Sequence, residues 1–297
     1  MNLLYTGATG FLGNNTLPIL AEKFNVSTLG LFGADFVSDL SKEISNLSST
    51  SFDIVLHAAG EVHAIPKTSQ QKQCFFDVNL QGTKNLCTAL EQSGLPKSFI
   101  FVSTVAVYGV ENGIEITEEH PLNGNTPYAL SKLQAEEFLI DWCRKNDITL
   151  SILRPSLIAG NNPLGTLGSM IAGIKSGFYF NIAGGKAQKS IVMAQDIATL
   201  VPKLINKGGI YNLSDGYHPS FFELSQLMAK QLNKKTPLSI PYGLAKTMAL
   251  CGDILGSNAP INSNKLSKIV NTLTFSNKKA VAELDWKPLN VPENFKI

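Results

Sequence analysis

The first half of the chain alternates between short apolar runs and longer segments in which apolar residues recur every three or four positions. The short runs predict buried strands, and the three-to-four spacing predicts amphipathic helices. Strands and helices that alternate in this way predict an α/β fold with a doubly wound, mostly parallel sheet. The predicted strands are residues 3–5, 26–31, 36–41, 54–60, 98–107 and 150–153, and the predicted helices are residues 12–23, 75–91 and 127–145.

Beyond Ala159 the pattern changes, because glycine, proline and asparagine become frequent, as in residues 160–165 and 183–186. Helical spacing returns in residues 221–232 and 244–255, with loops between them. Short helices separated by such loops are typical of a smaller lobe that closes over a sheet and binds substrate at the junction. We therefore predict a sheet domain of residues 1–159, rejoined by residues 186–212, and a smaller substrate-binding lobe of residues 160–185 and 213–297.

Composition and charge narrow the class of protein. With 297 residues, of which 44% are hydrophobic, the chain can bury one large core or two modest ones. Its formal net charge is only +2 and its lysines are scattered, so we expect no nucleic-acid partner. The chain has no run of about 18 apolar residues and no leader-like start, so we expect a cytoplasmic protein without a membrane partner.

Neither the cysteines nor the histidines are spaced as metal ligands are. The four cysteines lie far apart with no CxxC pair, which predicts reduced thiols without a zinc site or a disulfide framework. His120 and His218 also lack ligand spacing. We therefore expect no metal and interpret both histidines as surface residues.

A strand followed at once by closely spaced glycines opens the chain. Residues 6–13 are Thr-Gly-Ala-Thr-Gly-Phe-Leu-Gly and follow the apolar residues 3–5. Glycine permits the positive φ of a tight turn and lets backbone touch a ligand, while the N–H groups of the helix start face an anion. This pattern predicts a dinucleotide-binding turn of the Rossmann type. Gly30 stands where an acidic or basic group would select NAD or NADP, so both cofactors stay open.

A tyrosine and a lysine lie four residues apart in the predicted helix 127–145, so Tyr128 and Lys132 share one face. A phenol has a pKa near 10, and a neighbouring ammonium lowers it by stabilising the anion. Thr104 lies near the end of a core strand, where its hydroxyl can hydrogen-bond the same substrate oxygen. The three residues predict proton transfer at a carbinol oxygen beside a nicotinamide. A surface Tyr–Lys pair and a strand-end hydroxyl bonded to backbone are the plain alternatives.

In order and spacing, these motifs resemble the extended short-chain dehydrogenases/reductases, the NAD-dependent epimerase/dehydratase family. The resemblance covers about the first 160 residues and rests on the glycine turn together with six later segments. These segments are Asp39-Leu40, His57-Ala58-Ala59-Gly60, residues 79–86, residues 103–109, Tyr128-Ala129-Leu130-Ser131-Lys132 and Leu153-Arg154-Pro155.

The resemblance implies a role for each matching residue. Thr104, Tyr128 and Lys132 become the catalytic trio. Asp39 can equally be an ordinary loop carboxylate, and Asn79 can simply cap local backbone. The implied cofactor-binding residues are Gly7, Gly10, Phe11, Leu12 and Gly13 at the pyrophosphate, Asp39 and Leu40 at the adenine, Ala58, Ala59 and Gly60 toward the nicotinamide, and Asn79, Ser103, Tyr128, Lys132 and Pro155 elsewhere.

The resemblance also implies a nucleotide-sugar substrate. Residues 57–63 and 185–196 are similar to those of sugar-nucleotide epimerases and 4-keto reductases, which implies substrate contacts from His63 and Lys189. Asn161 is the third residue that we expect to contact substrate. Relatives often carry arginine in place of Lys189, where it meets the diphosphate, and lysine keeps the charge but loses the two-pronged contact. His63 can also be a solvent-facing loop histidine.

We expect an NAD(P)-dependent nucleotide-sugar epimerase or 4-keto reductase of surface-polysaccharide pathways, with Tyr128 as the acid/base. Val105-Ala106 stand where sugar dehydratases usually carry Asp-Glu, which argues against dehydration. A non-catalytic NAD(P)-binding regulator and a reductase of a non-sugar carbonyl are the alternatives. The apolar residues Leu133, Phe138 and Trp142 indicate either a homodimer face or part of the core.

Overall fold

A computed structural model describes residues 1–47, 50–62, 66–255 and 261–297 and contains one large parallel sheet. The strands are β1 (Asn2–Thr6), β2 (Asn25–Gly30), β3 (Phe36–Val37), β4 (Ile54–His57), β5 (Ser98–Val102), β6 (Gly113–Ile116), β7 (Thr149–Pro155), β8 (Leu157–Ala159), β9 (Asn181–Ile182), β10 (Ile191–Met193), β11 (Gly209–Leu213), β12 (Ser239–Ile240) and β13 (Leu273–Phe275). The main sheet has the order β11-β7-β5-β4-β1-β2-β3, and every neighbouring pair in it is parallel.

Helices connect the strands and form the smaller lobe. They are α1 (Phe11–Ala21), α2 (Ser69–Phe76), α3 (Gly82–Ser93), α4 (Pro127–Lys145), α5 (Gly165–Ser176), α6 (Ala194–Leu204), α7 (Phe221–Gln231), α8 (Tyr242–Leu255), α9 (Ser263–Val270), α10 (Lys278–Leu284) and α11 (Val291–Asn294). A π-helical stretch, Asp77–Gln81, joins α2 to α3. No helix in the described part of the chain is both long and apolar enough to cross a membrane.

Helices cover both faces of the main sheet, because consecutive residues of a strand point to opposite sides. Leu3 of β1 packs in a cluster with Leu20 of α1 and Leu200 of α6. Its neighbour Leu4 packs in a second cluster with residues of α3 and α4, including Leu86. Both strand leucines are fully buried. The predicted doubly wound α/β fold is therefore confirmed.

The smaller lobe has its own apolar clusters. Met170 of α5 and Met228 of α7 belong to one, and Ala245 of α8 and Leu266 of α9 belong to another. The predicted domain boundaries stay a prediction. Helix α6 packs on α1 and strand β11 ends the main sheet, while Trp286 packs in the cluster of Leu3.

Several predicted elements are shorter or more divided than the apolar pattern indicated, and the predicted strand 54–60 ends at His57. Strand β3 ends at Val37 rather than at residue 41, because the Asp39 carboxylate accepts hydrogen bonds from the Ser41 backbone N–H and hydroxyl, which folds a turn. Strand β5 ends at Val102, since Thr104 starts a 3-10 turn over Val105–Tyr108. The predicted helix 75–91 is divided into α2, the π-helical stretch and α3.

The helix that carries Tyr128 has the predicted bounds. Pro127 occupies its first position, where the missing N–H costs nothing, and the Thr126 hydroxyl accepts from the Ala129 N–H at 3.2 Å. Arg144 and Lys145 lie in its last turn, where positive charge favours the helix dipole. These local signals favour the observed start and end of α4.

Candidate active site

The turn between β1 and α1 packs directly on the loop that follows β4. Gly7 has a φ of 78°, in the region that favours glycine. A Cβ atom there would lie 2.6 Å from the backbone nitrogen of Ala59 and 2.8 Å from the carbonyl carbon of Ala58. Only glycine allows this contact, so the predicted cofactor residues of the two loops are brought together.

Helix α1 begins with its N–H groups uncovered. Gly10 is the N-cap and offers no side chain to the helix start, and the first turn, with Phe11 and Leu12, contains no acidic residue. A Cβ atom at Gly13 would lie 2.2 Å from the carbonyl oxygen of Ala8, so the helix packs on the turn only because residue 13 is glycine. The free N–H groups and the helix dipole fit the diphosphate of a dinucleotide.

A directed chain of hydrogen bonds connects this turn to α3. The Thr83 hydroxyl donates to the Asn79 carbonyl at 2.6 Å, so it accepts from Nε2–H of His57 at 2.9 Å. Nδ1 of His57 then accepts from the Thr6 hydroxyl at 2.6 Å, whose oxygen accepts from the Ala59 N–H. Burial lowers the pKa of His57 to about 3. His57 is therefore a neutral structural residue that holds β1, β4 and α3 together.

Asn79 connects the loop after β4 to helix α4. Its Oδ1 accepts from the Glu61 N–H at 2.9 Å, and its Nδ2 donates to the Glu61 carbonyl and to the Ser131 hydroxyl. Ser131 in turn donates to the carbonyl of Tyr128 at 2.9 Å. A Cβ atom at Gly60 would lie 2.8 Å from Oδ1 of Asn79. The side chain thus fixes the distance between Gly60 and α4.

Lys132 projects from α4 into the sheet edge and is almost fully buried. Its Nζ donates to the Val102 carbonyl at 2.9 Å and lies 4.7 Å from the centre of the Phe101 ring. A Cβ atom at Gly60 would lie 3.1 Å from this ammonium. Burial lowers the pKa of Lys132 to about 8, and the charge of Glu136 opposes part of that change. The side chain is thus still protonated at pH 7, beside the loop that is expected to face the nicotinamide.

Tyr128 lies one turn before Lys132 and is half-buried. Its phenol is hydrogen-bonded to Thr104, whose Oγ1 also accepts from the Ala106 N–H at 3.1 Å. Burial raises the pKa of the Tyr128 phenol, and the bond with Thr104 lowers it in part. In the protein alone the net direction is therefore upward, opposite to the lowering that the sequence predicted from Lys132. Tyr128 contacts Thr104 and precedes Lys132 by one helical turn on α4, and the catalytic roles of the three residues stay a prediction.

Sequence reasoning missed a buried polar network beneath this site. Glu136 forms an ion pair with Arg154 at 2.6 Å, and the Ser103 hydroxyl donates to the same carboxylate. Arg154 also donates to the Tyr108 hydroxyl at 3.1 Å, which donates to Oδ1 of Asn212 at 2.7 Å. The Ser103 side chain, predicted to bind cofactor, is turned into this network. The network joins β5, α4, β7 and β11.

Two signals could have indicated the network. Glu136 follows Lys132 by four residues, so it lies on the helix face that carries Tyr128 and Lys132. Arg154 ends the otherwise apolar run 150–153, where a charge requires a buried partner. Neither signal identifies the other residue, because the pairing arises only when β7 packs against α4.

The predicted adenine-side residues have mostly local contacts. Asp39 accepts from Ser41 and pairs with Lys42 at 2.8 Å, contacts that lower the pKa of its carboxyl. Leu40 is buried and faces Gly82. Asp39 therefore acts in the structure as a turn-forming loop carboxylate, and any adenine contact would use its backbone or remaining lone pairs.

The selecting position at the end of β2 is glycine, as the sequence indicated. Strand β2 ends at Gly30. The next carboxylate along the chain, Asp35, accepts from the Thr28 N–H at 2.8 Å and from its hydroxyl at 2.9 Å. Asp35 is thus engaged in closing the turn between β2 and β3.

The remaining predicted ligand contacts are dispersed. Pro155 ends β7 and is buried beside the sheet edge. Asn161 pairs its backbone N–H with Oδ1 of Asn15 in α1 at 2.7 Å, whereas Lys189 is half-buried with its Nζ 6.0 Å from the Phe221 ring centre. Burial lowers the pKa of Lys189 to about 8. His63 lies outside the described residues.

One histidine prediction is wrong. His218, expected at the surface, is buried, with Nδ1 2.9 Å from the Ser190 hydroxyl and Nε2 2.5 Å from a Glu115 carboxylate oxygen. These polar partners explain how the ring tolerates burial. His120 is half-buried against the Tyr108 ring. Across the described ranges no group of three His, Cys, Asp or Glu residues could hold a metal ion.

The face considered for a homodimer lies largely in the core. Trp142 is buried, its ring packs edge-on against Phe99, and its Nε1 donates to Glu91 at 2.7 Å. Phe138 and Leu133 are partly buried against core clusters. These contacts favour the core interpretation of the three residues, and dimerisation stays a prediction.

Comparison with known proteins gives a family match over most of the chain. The sequence matches the family described as NAD dependent epimerase/dehydratase over residues 3–214. A 4-epimerase of N-acetyl-alpha-D-glucosaminyl-diphospho-ditrans,octacis-undecaprenol from Escherichia coli O157:H7 is 31% identical over 297 residues, which cover 94% of this chain and 88% of the relative. A GDP-6-deoxy-D-mannose reductase from Pseudomonas aeruginosa is 28% identical and covers 76% of this chain and 79% of the relative.

A similar fold occurs among solved structures. RMD from Pseudomonas aeruginosa complexed with NADPH superposes with a TM-score of 0.74 and 22% identity. The match covers 98% of this chain and 95% of that one. The similarity extends through the smaller lobe as well as the main sheet.

Proposed function

The chain belongs to the NAD dependent epimerase/dehydratase family and is an NAD(P)-dependent enzyme of the extended short-chain dehydrogenase/reductase type. From this premise we propose that it epimerises C4 of a sugar linked to a diphosphate, with Tyr128 as the acid/base. The observation that carries the proposal is that Tyr128 is hydrogen-bonded to Thr104 and precedes Lys132 by one helical turn. The Lys132 ammonium lies next to Gly60 and the end of β5, at the carboxyl edge of the main sheet. Ligands of open α/β sheets bind at this edge.

In this proposal the glycine turn and the loop after β4 hold the dinucleotide. The N–H groups at the start of α1 would bind its diphosphate. Gly60 lets Asn79 and Lys132 pack against its backbone, which would hold the Lys132 ammonium next to the nicotinamide half. When bound, the nicotinamide supplies a reversible acceptor for hydride from the sugar carbon. Gly30 offers no side chain that selects between NAD and NADP.

The protein residues move the hydroxyl proton. Burial keeps the Tyr128 phenol protonated at neutral pH, which suits it to donate a proton to a keto oxygen. To accept a proton from the sugar hydroxyl, the phenol needs nearby positive charge, and the ammonium of Lys132 is the cation that its own helix supplies. Thr104 holds the phenol by a hydrogen bond, so the proton is exchanged at a fixed position.

The position of Lys189 favours a substrate that carries a diphosphate. It is a half-buried cation whose burial disfavours the charged form, so an anion that reached it would be bound by a partly desolvated charge. A nucleoside is the carrier expected from the sequence. The relative from Escherichia coli acts on a sugar carried by diphospho-undecaprenol, which makes a polyprenol the second carrier to test.

A product survey tests the function. The protein is incubated with NAD or NADP and with UDP-, GDP- and dTDP-linked sugars or a polyprenyl-diphosphate sugar, and C4 epimers are followed by NMR. Appearance of the C4 epimer without net consumption of added cofactor supports the proposal. Absence of any C4 epimer across the panel contradicts it.

A 4-keto reductase is the second candidate, and the relative named as a GDP-6-deoxy-D-mannose reductase favours it. The same trio would protonate the alkoxide oxygen formed at C4, because the proton transfer is common to both reactions. Stoichiometric consumption of reduced cofactor with a 4-keto sugar, and no epimerisation, would identify the reductase.

A further inference from the structure

Helix α8 turns its large apolar side chains outward. Ala245, Ala249 and Gly252 are its buried residues, whereas Leu244 is 56% exposed and Ile254 is 88% exposed. Met248 and Leu250 are about half exposed as well. This is the reverse of an ordinary surface helix, which buries its large apolar residues and exposes polar ones.

The small inner residues hold the helix firmly on the smaller lobe. Ala245 and Ala249 pack in a cluster with Ile182 and with Leu266 of α9. Leu238, just before the helix, is also strongly exposed. The outward apolar side chains are therefore presented on a supported helix, and large exposed apolar patches mark interaction surfaces.

Positive charge exceeds negative charge on this helix and on the segment before it. Between Leu232 and Leu255 the chain contains three lysines and a single acidic residue, Asp253. That carboxylate accepts from the N–H and the hydroxyl of Ser263 at the start of α9, at 2.9 Å and 2.5 Å. Lys246 on α8 and Lys234 and Lys235 before it are exposed. Apolar side chains bordered by lysines match the chemistry of a surface that is apolar inside and anionic outside.

We propose that this exposed face of α8, residues 242–255, docks the enzyme onto an anionic membrane surface. The choice of a lipid partner rests on the proposed function, because a sugar diphosphate carried by a polyprenol, as in the relative from Escherichia coli, stays in a bilayer. The exposed face itself does not depend on that function. A helix that lies in the interface needs no membrane-spanning segment, so the proposal revises the expectation that the protein has no membrane partner.

The expected diphosphate contact lies next to the segment that follows α9. Lys189 pairs with Leu273 in an isolated parallel β-bridge, three residues after the end of α9, and α9 packs on α8. A docked α8 would therefore bring Lys189 toward the membrane that carries the substrate.

Vesicle flotation tests the proposal with the full-length protein. Binding is compared on vesicles of phosphatidylethanolamine with phosphatidylglycerol and on vesicles of phosphatidylcholine alone. The test variant carries Leu244→Gln, Met248→Gln and Leu250→Gln, and the matched control carries Leu95→Gln, Ile114→Gln and Ile140→Gln at exposed positions elsewhere. Circular dichroism checks that all three proteins fold, and C4 epimerisation is measured in parallel with the nucleotide-linked and polyprenyl-diphosphate sugars of the product survey.

We expect the wild type and the control variant to float with anionic vesicles. The affinity of the α8 variant for these vesicles should be lower by about tenfold or more. Equal binding of the α8 and control variants overturns the proposal, as does no binding by the wild type. Loss of self-association in the α8 variant without any vesicle binding assigns the face to a second copy and also overturns it. Vesicle binding without epimerisation leaves docking intact and contradicts only the proposed function.

Discussion

Arg154 lies 2.6 Å from Glu136, and both side chains are only 2% exposed. The pair connects the end of β7 to the turn of α4 that follows Lys132. The Ser103 hydroxyl and the Tyr108 hydroxyl satisfy further atoms of the two charged groups. A buried ion pair of this kind fixes geometry more than it adds stability, because desolvation offsets the attraction.

Breaking this pair on one side should be strongly destabilising. Glu136→Met leaves the Arg154 guanidinium buried without its carboxylate, so we expect a loss of about 3–5 kcal/mol in unfolding free energy. The double variant Glu136→Met with Arg154→Met should recover most of that loss, since no charge stays buried. Urea denaturation measures both. As a control, Asp141→Asn removes the partner of the exposed Arg144 and should change little. A double variant as unstable as the single one would contradict this account.

Lys132 should lower the free energy of unfolding at neutral pH, because its charge is buried. Its pKa is lowered from 10.5 to about 8, so the fold favours the neutral amine. The stability that this group contributes is present above pH 10.5, falls as the pH decreases from 10.5 to about 8, and is absent below that. Lys132→Met should therefore raise the unfolding free energy at pH 7 by about 1–2 kcal/mol, after the lost bond to Val102 is subtracted, and abolish turnover. The stability gain should vanish near pH 10.5, and a gain that is independent of pH would count against the assignment.

Asp196 should produce the opposite kind of pH dependence from an ordinary carboxylate. Burial raises its pKa to about 6, so its protonated form is favoured in the fold and stability falls as the pH rises from about 4 to 6. Asp196→Asn keeps an oxygen to accept from the Leu289 N–H and should stabilise the protein at pH 7 by up to about 3 kcal/mol. Thermal unfolding at several pH values measures the difference, which should disappear below pH 4.

Asp35 provides a control with the reverse sign for that experiment. Hydrogen bonds from Thr28 lower the pKa of Asp35, so its contribution is present at neutral pH and is lost as the pH falls. Asp35→Asn should destabilise the protein at pH 7, with a difference that narrows in acid. Parallel curves for the two variants would refute the assigned shifts.

Gly13→Ala should damage the dinucleotide turn. The new Cβ would lie 2.2 Å from the carbonyl oxygen of Ala8, a backbone atom that can move only if the turn opens. We expect weaker NAD(P) binding by about tenfold or more and a lower melting temperature. Gly243→Ala, at a helical position with open space around its Cβ, is the matched control and should leave cofactor affinity unchanged without lowering the melting temperature. Calorimetric titration with NAD and NADP checks the affinity and also reports which cofactor is preferred.

Features with local causes could be predicted from the sequence. The bounds of α4 follow from Thr126 and Pro127 at its start, and the turn at Gly7 follows from an apolar strand and the spacing of its glycines. The sharing of one helix face by Tyr128 and Lys132 follows from their four-residue separation. These are properties of short segments, so no knowledge of the packing was needed.

Features that depend on packing could not be predicted in the same way. The burial of Glu136 requires that β7, the next strand, pack its Arg154 against α4, and the burial of His218 requires Ser190 and Glu115. The outward face of α8 has the composition of a core helix, and only the structure reveals that its small residues face inward. The raised pKa of Tyr128 likewise results from burial that the sequence does not report.

Turnover by Tyr128→Phe tests the central claim most directly. The phenyl ring keeps the packing against Phe75 but cannot exchange a proton with the sugar hydroxyl. C4 epimerisation is followed by NMR on the substrate found in the product survey, and cofactor affinity is measured by titration. We predict a fall in kcat of about 10²–10⁴ with unchanged cofactor affinity. A variant that turns over as fast as the wild type would contradict the proposed acid/base role of Tyr128.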